Sequence, residues 1–485
     1  MKKVTISLLV LFIVSLFLSA CSSAATPQQT EAATTAAATT AATAADTSAA
    51  TTTTSSEGCV LHILGGARTY PGEEDAWNQV FAAFEKEYNC KVVARWQGQW
   101  SDTPQNLETA RMANEPVDIV YNSATINSTM ARSGVLMDIT NLVKPYSDRF
   151  ATGMLDKYTL GGHLWAIPVS DTSTSAFFYN ATMFKELGLS EPKTYADLVN
   201  VAKVIKEKKG IQPLIHQGKL TYYWPMWFFE TYAQTSGDKS VKNIEDFLSG
   251  TRKFTSPEEI AALNAVAQFY KDGLLTQDSL DTDNDGMRAA FLQEKAAMFY
   301  GGTWELAPLR AANPTFDIGV FQFPLVVDTA GVVSQHGGGP DNAWSITSSI
   351  DPKNIPMAAQ FLEFLTRKDN ATKIISTYSP MIPSIKSVPV SSDPLATKFN
   401  TEFMPNTITY LDWLWPSEVN DAVMQVIPEV MTGSVTAEAA AQTVQDAYDT
   451  VVAEKSYSFN WWDKWTTADW AKVTPATIPT IEVKD

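Results

Sequence analysis

The middle of the chain has the spacing of the first half of a calcium-binding loop. An aspartate stands at every second position from Asp281 to Asp285, and Gly286 follows. A complete loop of this type has a bidentate Glu at its twelfth position, but that position is Leu292. We therefore predict no metal site here and interpret the acids as the lead-in to a helix that begins near Met287, because carboxylates are favourable at a helix N-terminus. Incidental calcium binding by the loop is the alternative.

Hydrolase and cofactor motifs are incomplete in this sequence. The run from His336 to Gly339 is similar to the oxyanion loop of lipases, but the G-x-S-x-G elbow that such chemistry requires does not occur. The sequence also lacks a P-loop, a G-x-G-x-x-G fingerprint, an H-E-x-x-H pair and a C-x-x-C pair. Its histidines are not spaced as paired helical ligands, so we expect no histidine metal site and no cofactor. The histidines are His62, His163, His216 and His336.

A glycosidase would need two carboxylates on opposite sides of a bound sugar. The sequence offers candidates without a pattern that singles out a pair, so it neither supports nor excludes an exported carbohydrate-active enzyme. The candidates are Glu74, Asp171, Glu305 and Asp341.

Composition restricts the class of ligand. The formal net charge of −17 opposes nucleic acid, anionic lipid surfaces and acidic substrates, because each would meet a repulsive field. The 14 tryptophans suit a large core or a site that holds something flat and partly apolar. A neutral ligand is therefore favoured, and no nucleic acid partner is expected.

The first residues have the pattern of an export signal. Lys2 and Lys3 precede an apolar run, and the run is shorter than the ~20 residues that a membrane span needs. The segment ending at Cys21, Leu-Ser-Ala-Cys, resembles the bacterial lipobox, which implies a signal peptide at 1–20 and acyl chains, palmitate among them, on Cys21. A plain secretory signal is the alternative. The Ala/Thr/Ser-rich residues 21–57 are predicted to be a disordered tether, because they lack large apolar side chains.

Two further cysteines stand directly before strand signals. Cys59 precedes "VLHIL", Cys90 precedes "KVVARW", and an amphipathic helix pattern lies between them. Neighbouring parallel strands would begin side by side and bring the two sulfurs within bridging range. A disulfide is expected in an oxidising exported compartment, and two reduced buried thiols are the alternative.

Strand and helix patterns alternate from residue 58 onward, which predicts a parallel sheet covered by helices and an α/β fold. Ligands bind at the carboxyl ends of the strands in such sheets. After the first three strands those ends are Gly65, Gly66, Ala67 and Arg68, then Trp96 and Gln97, then Asn122 and Ser123.

The alternation begins again after a small polar run at Ser170 to Ser175, which predicts a second α/β lobe. A short helix from Thr182 should end at Gly188, and Thr194 with Asp197 has the spacing of a capping box for the next helix. The very aromatic run "YYWPMWFF" that begins at residue 222 is interpreted mostly as core.

Several motifs in this order resemble the family 1 extracellular solute-binding proteins, the sugar-binding lipoproteins of ABC importers that include the maltodextrin-binding proteins. They are "GGHLWAIPVSDTSTSAFFYNATMFKELGLSEPKTYADL", "FLQEKAAMFYGGTWEL", "AAQFLEFLTRKDNATK" and "GSVTAEAAAQTVQDAYD", the last with Thr436 as its helix cap. The resemblance implies a two-lobed periplasmic-binding-protein fold whose lobes are joined by hinge strands. We predict an N-terminal lobe of 58–172 and 336–388 and a C-terminal lobe of 173–335 and 389–485.

The resemblance also implies which residues bind the ligand. The Gly-Gly-Thr-Trp turn is similar to the family's turn that carries a stacking ring, which makes Trp304 the main candidate. Either Trp413 or Trp415 is expected to supply a second ring. Arg68 lies in a first-strand loop that lacks the charged pair of maltodextrin binders, which argues against a maltodextrin ligand. The further implied positions are Asn122, Ser123, Asp171, Ser173, Trp224, Gly338, Gly339 and Asp341.

The expected function is that of a non-enzymatic receptor of an ABC importer, lipid-anchored at the outer face of the bacterial cell membrane. Its expected partners are a neutral oligosaccharide and the permease subunits, and the chain is expected to be a monomer. The alternatives are an exported glycosidase and a sugar-sensing lipoprotein with a signalling partner.

Overall fold

The computed structural model describes residues 58–67, 71–327, 335–337, 339–340, 342–377, 382–455 and 457–485. The predicted signal peptide and tether, and with them Cys21, lie outside the described residues, as do Arg68, Gly338 and Asp341. Within the described part, no helix is both long and apolar enough to span a membrane.

The strands are given first, in chain order. They are β1 (Cys59–Gly65), β2 (Cys90–Trp96), β3 (Ile119–Ser123), β4 (Thr159–Leu160), β5 (His163–Leu164), β6 (Ile167–Pro168), β7 (Asp171–Ser173), β8 (Ser175–Asn180), β9 (Gln212–Ile215), β10 (Ala296–Gly302), β11 (Ile318–Phe321), β12 (Gln335–Gly337), β13 (Gly339–Pro340), β14 (Asn342–Ile346), β15 (Ile382–Pro383) and β16 (Thr407–Thr409).

The helices follow in the same way. They are α1 (Glu73–Tyr88), α2 (Thr103–Met112), α3 (Ala124–Arg132), α4 (Thr140–Val143), α5 (Ala181–Leu187), α6 (Tyr195–Lys209), α7 (Trp224–Thr235), α8 (Ser240–Leu248), α9 (Pro257–Lys271), α10 (Gln277–Asp281), α11 (Asn284–Leu292), α12 (Leu306–Ala312), α13 (Ile355–Leu365), α14 (Lys368–Ile375), α15 (Pro394–Lys398), α16 (Ser417–Thr432), α17 (Ala437–Lys455) and α18 (Thr467–Val473).

The first lobe is built on a five-stranded sheet in the order β2-β1-β3-β14-β6. The pairs β1·β2 and β1·β3 are parallel, as the alternating pattern predicts, whereas β14 runs antiparallel to β3. Cys59 and Cys90 occupy the first register position of the β1·β2 pair, and the structure joins them in a disulfide. Their Cα atoms lie 4.5 Å apart.

A cluster of aromatic rings fills the core between this sheet and α1. Trp77 and Tyr121 lie against Trp344, with ring centroids 4.5 Å and 4.4 Å away from it. Along α1 the buried residues recur at helical spacing, which turns the apolar face of the helix to the sheet.

The second lobe is built on a four-stranded sheet in the order β11-β8-β10-β9. All seven residues of β10 are buried, because helices cover both faces of this central strand. The aromatic run at the start of α7 is core, as predicted, and α7 is buried along almost its whole length. The predicted helix boundaries are confirmed: Gly188 ends α5, and Thr194 with Asp197 forms the capping box of α6. Thr436 Oγ1 accepts from Ala439 N at the start of α17.

The acidic loop is a helix cap in the structure. The side chain of Asp283 accepts a hydrogen bond from Gly286 N at 3.0 Å, and α11 begins at Asn284, three residues before the predicted start. That backbone hydrogen bond is the main reason why the pKa of Asp283 is lowered. Among the described residues, no group of three or more His, Cys, Asp or Glu side chains could hold a metal ion.

Residues 461–485 pack on the first lobe, which differs from the predicted assignment of 389–485 to the C-terminal lobe. Trp461 and Val473 belong to a core cluster with Leu64, Leu107 and Trp165 of the first lobe. By contrast, α16 and α17 pack on the second lobe's core. The reason is the tryptophan-rich composition of 461–470, which buries its rings on an apolar surface far away in the sequence.

Candidate ligand-binding cleft

The register of the strands shows where the cleft between the lobes lies. Three short strands, β7, β13 and β15, form a small sheet where the chain passes between the lobes. On one side, β8 begins at Ser175, which pairs with Gly302 at the carboxyl end of β10. On the other side, β14 begins at Asn342, which pairs with Ser123 at the carboxyl end of β3. The carboxyl edges of both sheets therefore lie next to the crossing strands, which form the floor of the cleft.

Hydrogen bonds hold the floor together and tie it to β16. Ser173 Oγ donates to Gly339 O at 3.1 Å, and Gly339 has a left-handed φ of 62°. Thr174 and Thr407 share a hydrogen bond between their hydroxyls at 2.9 Å. Of the residues predicted for the floor, Ser173 and Gly339 are thus buried in the crossing sheet, whereas Asp171 is partly exposed at the start of β7.

On the first lobe, the loops that follow β1 and β2 pack on each other. Ala67 N donates to Gly98 O, and Gln97 N donates to Gly65 O, each at 3.0 Å. Trp100 lies so close to Gly66 that a Cβ on this glycine would be 3.2 Å from the Trp100 backbone. This loop pair places a partly exposed indole ring beside the predicted first-strand site.

The two residues predicted at the end of β3 have different environments. The Asn122 side chain is fully buried, and its Oδ1 accepts from Asn127 Nδ2 at 3.2 Å. Ser345 Oγ also accepts from Asn127 Nδ2, at 2.9 Å, which completes an interior polar cluster. Ser123 is partly exposed and directly precedes α3. Of the pair, Ser123 is therefore the residue that a ligand can reach.

On the second lobe, Trp304 lies in a short 3-10 turn, Thr303–Glu305, at the carboxyl end of β10. Its ring is folded back over Gly302, since a Cβ on this glycine would lie 2.2 Å from ring atoms. The ring is partly buried against the second lobe's core. Only a glycine permits this approach, so the Gly-Gly-Thr-Trp pattern fixes the orientation of the indole.

The residue after Trp304 anchors the turn. Glu305 is fully buried, and its Oε2 accepts from Arg288 Nε of α11 at 2.7 Å. Burial raises the pKa of Glu305, and the Arg288 guanidinium opposes that rise. A buried carboxylate is tolerated only when it is paired, so the ion pair links the turn to α11.

This edge of the second sheet also contains buried polar atoms without hydrogen-bond partners in the described part of the chain. They are both amide atoms of Gln217 and the hydroxyl of Thr303. The Trp304 indole N–H faces the Glu305 carboxylate and opposes the rise of its pKa. Gln217 follows β9 just as Thr303 follows β10, and these strands are parallel neighbours. Unpaired buried polar atoms are uncommon and call for a water or ligand partner. These unpaired polar atoms therefore mark the carboxyl edge of the second sheet as a candidate binding surface.

The three remaining candidate tryptophans are not equivalent. Trp224 is 1% exposed and donates its indole N–H to Gly218 O at 2.9 Å, and Trp415 is 2% exposed and donates to Asn420 Oδ1 at 3.1 Å. Both rings lie in the second lobe's core, so neither offers a face to a ligand in this structure. Trp413 is partly exposed and contacts the core of the first lobe. Of the two alternatives after residue 410, Trp413 is thus the more exposed ring.

Residues near the cleft were also missed by sequence reasoning. Tyr222 is 50% exposed in the turn after β9, on the same sheet edge as Trp304. Trp100, Gln217 and Arg288 were missed as well. The position of Trp100 and Gln217 in the sequence could have indicated them, because each lies within four residues of the carboxyl end of a strand, β2 or β9. Arg288 had no such signal, because its partner is seventeen residues away.

The histidine of the run similar to an oxyanion loop is buried. His336 Nδ1 lies 3.0 Å from Thr409 O, and its backbone N–H donates to Glu230 Oε1 at 3.1 Å. Burial lowers the pKa of His336 to about 4 and raises the pKa of Glu230 to about 8. Tyr300 also donates to Glu230 Oε1, at 2.8 Å. The network is closed to solvent, so its contribution is to tie β12 to the core of the second lobe.

Comparison with known proteins agrees with this architecture. A family model described as bacterial extracellular solute-binding protein matches residues 70–372. The multiple sugar-binding protein of Streptococcus mutans is 26% identical over 59% of this chain and 67% of its own length. The sn-glycerol-3-phosphate-binding periplasmic protein UgpB of Shigella flexneri is 25% identical over 62% of this chain and 68% of its own length. This chain thus aligns with about two thirds of each relative.

Solved structures share the fold. A chitin oligosaccharide binding protein superposes with a TM-score of 0.69 at 19% identity, over 81% of this chain and 99% of that chain. At this level of identity the likeness concerns the two-lobed fold alone.

Proposed function

The chain belongs to the bacterial extracellular solute-binding proteins, and from this premise we propose that it is the sugar-binding receptor of an ABC importer. Its ligand is a neutral oligosaccharide held in the cleft between the lobes and delivered to the permease. Relatives named as sugar-binding proteins support this class of ligand.

The observation that carries the proposal is the carboxyl edge of the second sheet. There a partly exposed indole, Trp304, stands beside the unpaired polar atoms of Gln217 and Thr303. A pyranose has apolar C–H faces that pack on an aromatic ring, and hydroxyls that both donate and accept hydrogen bonds. The exposed part of the indole offers the first kind of contact. The Gln217 amide and the Thr303 hydroxyl, which are buried in this structure, would offer the second when the cleft opens.

Charge supports a neutral ligand over an anionic one. With a net charge of −17, the protein repels anions at long range, and the Arg288 guanidinium at this edge is already paired with Glu305. The relative that is named for sn-glycerol-3-phosphate makes a phosphorylated ligand the specific alternative to test.

We further propose a non-enzymatic, monomeric receptor that is lipid-anchored through Cys21. Of the carboxylates considered for glycoside hydrolysis, Glu305 is buried and held by Arg288, so it is not free to attack or to protonate a sugar. Two-lobed receptors close around their ligand, and the permease can then recognise the closed, loaded form. A sensory lipoprotein would use the same closure toward a different partner.

Isothermal titration calorimetry with a sugar panel tests the proposal. Because relatives are named for binding raffinose and stachyose or diacetylchitobiose, we expect raffinose, stachyose or a chitin oligosaccharide to bind with a micromolar or lower Kd and sn-glycerol 3-phosphate to give no heat. Thin-layer chromatography of each mixture after overnight incubation should show intact sugar. Release of a monosaccharide would instead establish the glycosidase, and binding of sn-glycerol 3-phosphate alone would overturn the neutral-sugar assignment.

A further inference from the structure

Residues 457–485, which we call the strap, connect the two lobes by a route separate from the crossing strands. The strap is anchored on the first lobe by aromatic packing. The Trp461 ring lies 5.7 Å from Trp165, and Trp470 lies 4.1 Å from His163 with their planes 30° apart. Asp138 N of the first lobe also donates a hydrogen bond to Val473 O of the strap, at 2.8 Å.

The far end of the strap is fixed to the same lobe by polar contacts. The amide of Gln360 forms two hydrogen bonds with the backbone of Glu482, at 2.8 Å and 2.9 Å. Lys484 Nζ lies 2.8 Å from Glu87 Oε1, and this contact is the main reason why the pKa of Glu87 falls to about 2. The strap is therefore bound to the first lobe along most of its length.

The beginning of the strap belongs to the second lobe. Tyr457 and Phe459 pack against the second lobe's core, and Tyr457 N donates to Val451 O of α17 at 3.4 Å. The guanidinium of Arg132, at the end of α3 in the first lobe, lies 4.8 Å from the centroid of the Tyr457 ring. At this point an aromatic ring of one lobe is covered by a cation of the other.

The interface around this contact is nearly filled. It contains a partly open void of about 20 Å³, room for about one water molecule. A sugar does not fit into this space, so we interpret it as a packed contact between the lobes. The void is lined by residues of α3, by Trp413 to Trp415, and by Tyr457, Phe459, Trp461 and Trp462.

We propose that the strap is an inter-lobe restraint that limits how far the ligand cleft opens. Phe459, in the second lobe's core, and Trp461, in the first lobe's, are two residues apart, so their Cα atoms are at most about 7 Å apart. Opening must therefore pivot about this point or pull one ring out of its core. The restraint acts in the ligand-free protein and does not depend on which sugar binds.

Pulsed electron–electron double resonance on the sugar-free protein tests the restraint. Spin labels on Gln105→Cys in the first lobe and Lys208→Cys in the second report the distance between lobes, with Cys21→Ser to remove the remaining thiol. Both labelled positions are exposed. We expect the Arg132→Ala/Tyr457→Ala variant to shift the distance distribution to longer values. Arg111→Ala, which removes an exposed cation of the first lobe, should leave it unchanged.

A second variant avoids the risk that the substitutions disturb folding. A protease recognition sequence inserted after Asn460, an exposed turn residue, allows the strap to be cut in the folded protein. The cut strap should stay bound to the first lobe while the distance distribution shifts and broadens. An unchanged distribution after complete cleavage, with the strap still bound, would overturn the proposal.

Discussion

Arg288 Nε lies 2.7 Å from Glu305 Oε2 and thereby joins α11 to the turn that carries Trp304. The carboxylate is fully buried, and 23% of the arginine side chain is exposed. The acidic loop before α11 caps this helix, the helix carries the arginine, and the arginine pairs with the residue that follows the indole. The cleft edge is positioned by this chain of contacts.

Removing the arginine should destabilise the protein because it leaves a buried charge without a partner. For Arg288→Ala we expect a loss of about 2–4 kcal/mol in unfolding free energy at pH 7, below the full cost of breaking a buried pair because Arg288 is partly exposed. Urea denaturation measures the loss. Arg288→Ala/Glu305→Gln should recover part of it, and Arg111→Ala, at an exposed pair, should have little effect on the unfolding free energy. Equal effects of the two arginines would refute the role of Glu305.

Loss of the Trp304 ring should weaken sugar binding while the fold remains intact. For Trp304→Ala we expect a 10- to 100-fold higher Kd for the sugar that binds best in the panel, since a stacked ring contributes about 1–3 kcal/mol. Trp304→Phe should keep most of the affinity, because it retains an apolar face. Calorimetry gives both values and circular dichroism checks the fold. If Trp304→Ala binds as tightly as the unaltered protein, the sugar is bound elsewhere.

Stability should fall as the pH rises toward 8, because of Glu230. Burial raises its folded pKa from 4.5 to about 8, so between these values the folded state holds a proton that the unfolded state has lost. Stability therefore declines with increasing pH across this window. The largest possible decline is about 5 kcal/mol. Glu230→Gln, which keeps the shape but does not titrate, should flatten the profile of urea midpoints between pH 6.5 and 8. An equally steep profile in that variant would contradict the assignment.

On the acid side the slope should reverse. Burial lowers the pKa of His216 to about 3 and of His336 to about 4. Below pH 6.5 these two histidines therefore bind protons in the unfolded state but not in the folded state, and stability is lost as the pH falls. Thermal unfolding of His336→Asn and the unaltered protein between pH 4 and 6.5 measures this contribution. We expect a shallower decline in the variant, and parallel curves would show that His336 is not buried as a neutral ring.

The Cys59–Cys90 bridge should contribute to stability by restricting the unfolded chain. With a sequence separation of 31, the chain-entropy model predicts about 3–4 kcal/mol. Cys59→Ser/Cys90→Ser should lower the urea midpoint accordingly without changing sugar affinity, because the bridge lies at the opposite end of the strands from the cleft. Intact-mass analysis under non-reducing conditions provides the control. Two alkylatable thiols in the unaltered protein would remove the basis of the prediction.

The amino-acid sequence alone determined the local features. The strand and helix alternation, the capping box at Thr194 and Asp197, and the glycine that ends α5 were all predictable, because each depends on neighbours a few residues away. The failure of the calcium loop at Leu292 was equally a matter of spacing. The two-lobed fold was implied by the resemblance of several longer motifs, in their order, to a known family.

Only the tertiary structure decided which residues of a given type are available. Trp224, Trp304, Trp413 and Trp415 are chemically identical, yet two are buried in a core and two are partly exposed. The same holds for Asn122, which is interior, and for residues 461–485, which return to the first lobe. Burial and ion pairing depend on contacts between distant parts of the chain, and sequence spacing carries little information about such contacts.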